Sequence, residues 1–132
     1  MKLAPVFDFR VDSLVRGVAT VRLVHDPGHL RPGGTISGPT LFTLADTALY
    51  AAVLSCLGHA PLAVTTDMTI HFLRRPPAAD LIAEARILKE GRTLLHGAIE
   101  IRSAARDGVV CHATGSYVHP PGPSRQGASD SE

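Results

Sequence analysis

Two hydrophobic rhythms divide this chain. From residue 39 to residue 57 it is apolar nearly all round, a run too long for a strand. Elsewhere apolar and polar positions alternate. Ala19, Val21 and Leu23 alternate with Thr20 and Arg22. In "VTTDMTIHFL" Thr66, Met68, Ile70 and Phe72 share one face, and Thr65, Asp67, Thr69 and His71 share the other. "LIAEARILK" sets Leu81, Ala83, Ala85 and Ile87 against Ile82, Glu84, Arg86 and Leu88. Period two predicts strands. The turns "EGR" and "RDG" make residues 80–90 and 93–104 a hairpin, with a last strand over 109–118.

Punctuation bounds the long apolar element. Residues 27–39, "PGHLRPGGTISGP", hold seven Gly and Pro and form a loop. They end in Gly38-Pro39, and proline suits the first helical position. The spacing predicts a helix from about Pro39 to Leu57, stopped by Gly58. Residues 1–16 are mixed and predict a short helix or turn. Residues 119–132 carry no core pattern and predict a disordered tail. The expected order is strand, long helix, four strands: an α+β domain over 1–118, with about five antiparallel strands wrapped around one helix. Such a sheet leaves open edges, which calls for a second subunit.

Composition narrows the classes. The 132 residues suit one domain, with 45% hydrophobic and 19% charged residues. A net charge of +1 excludes a general nucleic-acid or membrane-surface binder, so any anion site is local. Cys56 and Cys111 sit apart in apolar stretches and predict free thiols in a reducing compartment, hence the cytoplasm. The start of the chain has no apolar leader. The seven histidines form no tight metal-binding spacing, although His96 and His112 can face one another across strands. No metal site is expected. No Ser stands in GxSxG, and the glycines match neither a P-loop nor a dinucleotide fingerprint.

One residue breaks the apolar run. Between Pro32 and Thr66 Asp46 is the sole formal charge. A buried carboxylate is costly unless it is paired or used. Gly38 lies eight residues earlier, about 12 Å along a helix, at an N-terminus whose free N–H groups suit an oxyanion. Thr65 and Asp67 read as a polar strand face. Arg74, Arg75, Lys89 and Arg92 fall at strand ends and turns, where they can bind phosphates or simply face solvent.

Three stretches carry a resemblance: "GGTISGPTLFTLADTALYAAV", "TTDMTIHFLRRP", and "LIAEARILKEGRTLLHGAIEI" with its closing "DGVVCHATGSYV". Over residues 17–118 the chain resembles the hotdog-fold acyl-CoA thioesterases of the phenylacetic-acid-degradation (PaaI-like) type. The resemblance implies a homodimer or homotetramer with active sites at subunit interfaces. It makes Asp46 the general base or nucleophile on the thioester and Gly38 the backbone donor to the thioester oxygen. Thr65 becomes a hydroxyl, supplied by the partner subunit, that helps place the attacking water. Gly38 of one subunit would then work with Asp46 of the other. It implies no cofactor beyond the CoA of the substrate.

This chain departs from the family pattern in three places. Ser37 stands where the family has His, Pro39 where it has a second Gly, and Arg31 where it has Asn. Pro39 removes one N–H from the helix mouth, while Gly38 keeps its own. Ser37 can orient a reactant, and Arg31 can bind a carboxylate or phosphate. The altered entrance motivates an alternative, an acyl-CoA-binding module without turnover. A hotdog hydratase ranks lower, because no His falls between His29 and His59.

Overall fold

The structure, a computed structural model, describes residues 6–60 and 62–120. Its elements are β1 (Phe9–Val15), β2 (Val18–Leu23), a 3-10 turn (Pro27–His29), α1 (Gly38–Leu57), β3 (Val64–Phe72), β4 (Leu81–Glu90), β5 (Leu94–Ser103) and β6 (Val109–Val118). The strands form one antiparallel sheet in the order β1-β2-β4-β5-β6-β3. The sheet has six strands rather than about five. The difference is β1, which occupies the lead-in expected as a helix or turn and hairpins onto β2 through Gly17 at φ 82. The expected tail over 119–132 lies mostly outside the described residues; His119 itself is buried, and its N–H donates to Thr93 O at 2.9 Å.

The helix begins and ends where the punctuation put it. Ser37 is its N-cap, Pro39 sits in the first turn, and Gly58 closes it at φ 75 with its N–H on Leu54 O at 2.7 Å. Arg16 adds a cation at the C-terminal end, donating to Cys56 O at 2.9 Å. Length and composition alone would let α1 cross a membrane. Here it is the core helix. Leu41, Leu44, Ala45, Ala48, Leu49, Ala52 and Val53 form a buried stripe against the sheet, while the opposite side, with Phe42, Asp46 and Tyr50, is partly open.

Helix and sheet come close together at Leu49. Its side chain sits over Gly97 and Gly115, which face each other across β5 and β6. A Cβ on Gly97 would fall 2.8 Å from both Arg86 O and Leu49 Cδ1, and one on Gly115 would fall 3.1 Å from Leu49 Cδ2. Two glycines in strand interiors weaken a sheet unless something comes close; here the helix does. This seat fixes the height and rotation of α1, and therefore the direction in which Asp46 points.

Candidate active site

Asp46 lies in the third turn of α1, half-buried, facing the β3–β6 edge. Thr65 Oγ1 donates to its Oδ1 at 2.7 Å, and Tyr117 Oη donates to the same oxygen at 2.9 Å. Thr65 and Tyr117 are directly opposite each other on β3 and β6, so the sheet register itself brings the two hydroxyls together. The Tyr117 ring, 5% exposed, stacks on Tyr50 at a centroid distance of 5.6 Å. Tyr50 lies one turn beyond Asp46 on α1. Burial first, and the Asp46 carboxylate after it, raise the Tyr117 phenol well above the usual range, against an opposing contact with Thr65. Tyr117 therefore remains a hydrogen-bond donor at neutral pH. Among the described residues nothing donates to Asp46 Oδ2. The carboxylate is held by one oxygen and open at the other.

Thr65 reaches Asp46 because of a bulge. Alternation alone puts Thr65 and Asp67 together on the polar face. The register shifts between Thr65 and Asp67, and the extra residue turns Thr65 inward, onto the side of Met68 and Ile70, while Asp67 stays exposed. Thr65 and Asp46 of the same chain thus meet, where the resemblance implied a Thr65 supplied by the partner subunit.

The α1 mouth exposes a single donor. Pro39 has no N–H. Thr40 N donates to Ser37 Oγ at 3.3 Å and Leu41 N to Ser37 O at 3.2 Å. Ser37 Oγ also lies 2.8 Å from Thr40 Oγ1. Ser37 is thus committed to the cap, worth about 1 kcal/mol. Gly38 N–H, at the first helical position, has no partner inside the helix. The Phe72 ring packs beside Gly38, where a Cβ would lie 3.4 Å from Phe72 Cζ.

The candidate cations divide into two groups. Arg31, Arg74 and Arg75 line one cavity of about 520 Å³ together with Gly38, Leu41 and Phe72. Arg74 and Arg75 also border a second cavity of about 210 Å³, where Arg106 joins them. Among the described residues none of these four arginines makes an ion pair, whereas Arg10, Arg16, Arg22, Arg86 and Arg102 all do. Lys89, near the end of β4, and Arg92, in the turn that follows it, do not line this cavity. His96 and His112 do not face one another; His96 pairs with Ser116 and His112 with Glu100. Both cysteines are free, and burial pushes the Cys111 thiol up to about 11.

A six-stranded antiparallel sheet around one long apolar helix defines a hotdog-fold protein. The chain belongs to the thioesterase superfamily, whose model matches residues 33–111. It is similar to a protein of Silicibacter sp. TM1040 provisionally described as a thioesterase, at 46% identity, with 86% of this chain and 80% of that one covered and a TM-score of 0.79. It is also similar to the E. coli PaaI protein of the phenylacetic acid degradation operon, at 29% identity, with 86% and 80% covered and a TM-score of 0.77. A curated relative, a provisionally described esterase of Archaeoglobus fulgidus, is 28% identical over 105 residues; that match takes in 79% of this chain, which spans 66% of the relative's length.

Proposed function

We propose that this protein hydrolyses acyl-CoA thioesters to CoA and a free carboxylic acid. The observation that carries the reading is the Asp46 carboxylate, fixed through Oδ1 by Thr65 and Tyr117 and open at Oδ2. Oδ2 takes a proton from a water that attacks the thioester carbon. The carbonyl oxygen gathers charge and is met by Gly38 N–H and the positive end of α1. The C–S bond then breaks, and the proton held by Asp46 passes to the departing thiolate. In the nucleophilic variant the carboxylate attacks directly and expels the CoA thiolate, and water then opens the mixed anhydride to the free acid, restoring the carboxylate and supplying the thiolate's proton. Arg31, Arg74, Arg75 and Arg106 suit the CoA phosphates, which need several unpaired cations at once. Gly38 and Asp46 of one chain are about two helical turns, roughly 12 Å, apart. A working site therefore joins Gly38 of one copy to Asp46 and Thr65 of another, in a homodimer or homotetramer. No cofactor takes part beyond the CoA of the substrate.

The test is thiol release from short, medium, long and aryl acyl-CoAs. Turnover on at least one member is expected. Tight binding of CoA esters with no turnover anywhere would make the protein a binding module instead.

Tyr117 acts through Asp46 rather than on substrate. Tyr117→Phe keeps the ring on Tyr50 and removes one hydrogen bond to a charged oxygen, worth about 1.5–3 kcal/mol. It should lower kcat about tenfold or more while KM and the assembly stay unchanged. A matching loss in KM would place the tyrosine in binding rather than in holding the carboxylate.

A further inference from the structure

Two cavities of about 520 Å³ each open beside the α1 mouth. They share two walls, Gly38 and Phe72, and differ in the rest. The first adds Arg31, Arg74 and Arg75 to an apolar floor of Ile36, Leu41 and Leu73. The second adds Pro39, Phe42 and Thr43, and no charged residue of the same chain lines it. The Phe72 ring stands over Gly38 between them. The charge at the two sides of this ring is as unlike as the two halves of an acyl-CoA.

Resting on the thioesterase reading, we infer that Phe72 divides the substrate at its thioester: the polyanionic CoA half lies on the arginine side, and the acyl group lies in the cleft between Phe42 and Phe72. The acyl groups selected are therefore uncharged and apolar, and those ending in a carboxylate are rejected. The carbonyl must meet Gly38 N–H, and both cavities border Gly38, so the two arms of the thioester divide between them. Among the described residues of the chain, the cations that could meet the phosphates line the first side. The acyl arm then takes the other side, where a terminal carboxylate would lose water without gaining a partner. A methylene placed there leaves water against Phe42 and Phe72, residues that are 41% and 53% exposed, respectively. Each methylene is worth up to about fourfold in affinity when fully buried.

The experiment measures binding by calorimetry in the Asp46→Asn variant, where hydrolysis does not intervene, with wild-type turnover beside it. The probes are free CoA, butanoyl-, hexanoyl- and octanoyl-CoA, and the mono-CoA thioester of adipic acid, which matches hexanoyl-CoA in length but ends in a carboxylate. Affinity should rise two- to fourfold per methylene until the cleft is filled, and the adipoyl ester should bind at least tenfold more weakly than hexanoyl-CoA. Phe42→Ala should flatten the chain-length series, and Phe42→Arg should bring the adipoyl ester level with hexanoyl-CoA or past it. The inference is overturned if the series is flat in the parent protein, if the adipoyl ester binds as well as hexanoyl-CoA, or if no ester binds better than CoA. It is equally overturned if the Phe42 variants change the sedimentation of the protein but leave the series intact, since the cleft would then be covered by a second copy. The two readings fail separately. The expected binding series without wild-type turnover sinks hydrolysis and keeps the division at Phe72; turnover with a flat series does the reverse.

Discussion

Replacing Asp46 with asparagine should lower kcat for thiol release by about two to four orders of magnitude, the usual contribution of a positioned general base. The substitution is close to isosteric. The amide oxygen can still accept from Thr65 and Tyr117, the two donors now on Oδ1. The other position becomes an NH₂ group, which donates and does not accept, so the site loses its proton acceptor while keeping its shape. Folding, assembly and affinity for CoA esters should stay close to those of the parent. Thermal melting and sedimentation alongside the kinetics separate this outcome from simple unfolding. Full activity in a folded variant would remove Asp46 from the chemistry and with it the mechanism proposed for this chain.

The largest effect on stability should come from Leu49→Ala. Leu49 is fully buried, and its two methyl groups rest over Gly97 and Gly115. Removing them leaves a void above two glycines, with the end of Met68 the neighbouring side chain at Gly115. The cost should fall near the upper part of the 2–5 kcal/mol range for such truncations, read as a shift in the urea midpoint at constant slope. Adding Gly115→Ala should return part of that loss, because the new methyl group enters the vacated space. In the parent protein the same Gly115→Ala should destabilise, since its Cβ would press on Asp67 O at 3.0 Å and on Leu49. A sign change between the two backgrounds is the signature of direct contact. Simple additivity would mean that the glycines are there for the sheet and not for the helix.

What could be read along the chain follows from how local each signal is. The limits of α1 are set by groups within a turn of each end, Ser37, Pro39 and Gly58, and were legible. The hairpin of β4 and β5 is equally local. Strand β1 carries a signal too, with Phe7, Phe9 and Val11 alternating against Asp8, Arg10 and Asp12. The alternation breaks at a bulge between Val11 and Ser13, and the second half of the strand then looks like a turn. A bulge also hid the facing of Thr65. In both cases one extra residue inverts a period-two pattern. Asp46 stood out as a lone charge in an apolar run. Tyr117 did not, because it meets Asp46 from 71 residues away, through a strand pairing that no local pattern records. Arg31, Arg74 and Arg75 were found by type and converge on one cavity; Arg106 was missed, since only the fold brings its turn to theirs.

The single open N–H at the α1 mouth has a consequence for chemoselectivity. With Pro39 lacking a hydrogen, and with the Thr40 and Leu41 nitrogens taken by Ser37, a nascent oxyanion meets one backbone donor. One such donor is worth about 2.7–4 kcal/mol, so a second of equal strength is missing from every reaction attempted here. Thioesters have little resonance to overcome and can react within that allowance. Amides and ordinary oxygen esters hold their carbonyls more firmly and would need more. On the proposed mechanism, the proline that narrows the helix mouth should act as a filter on leaving groups, favouring sulfur over the nitrogen of peptides and the oxygen of ordinary esters.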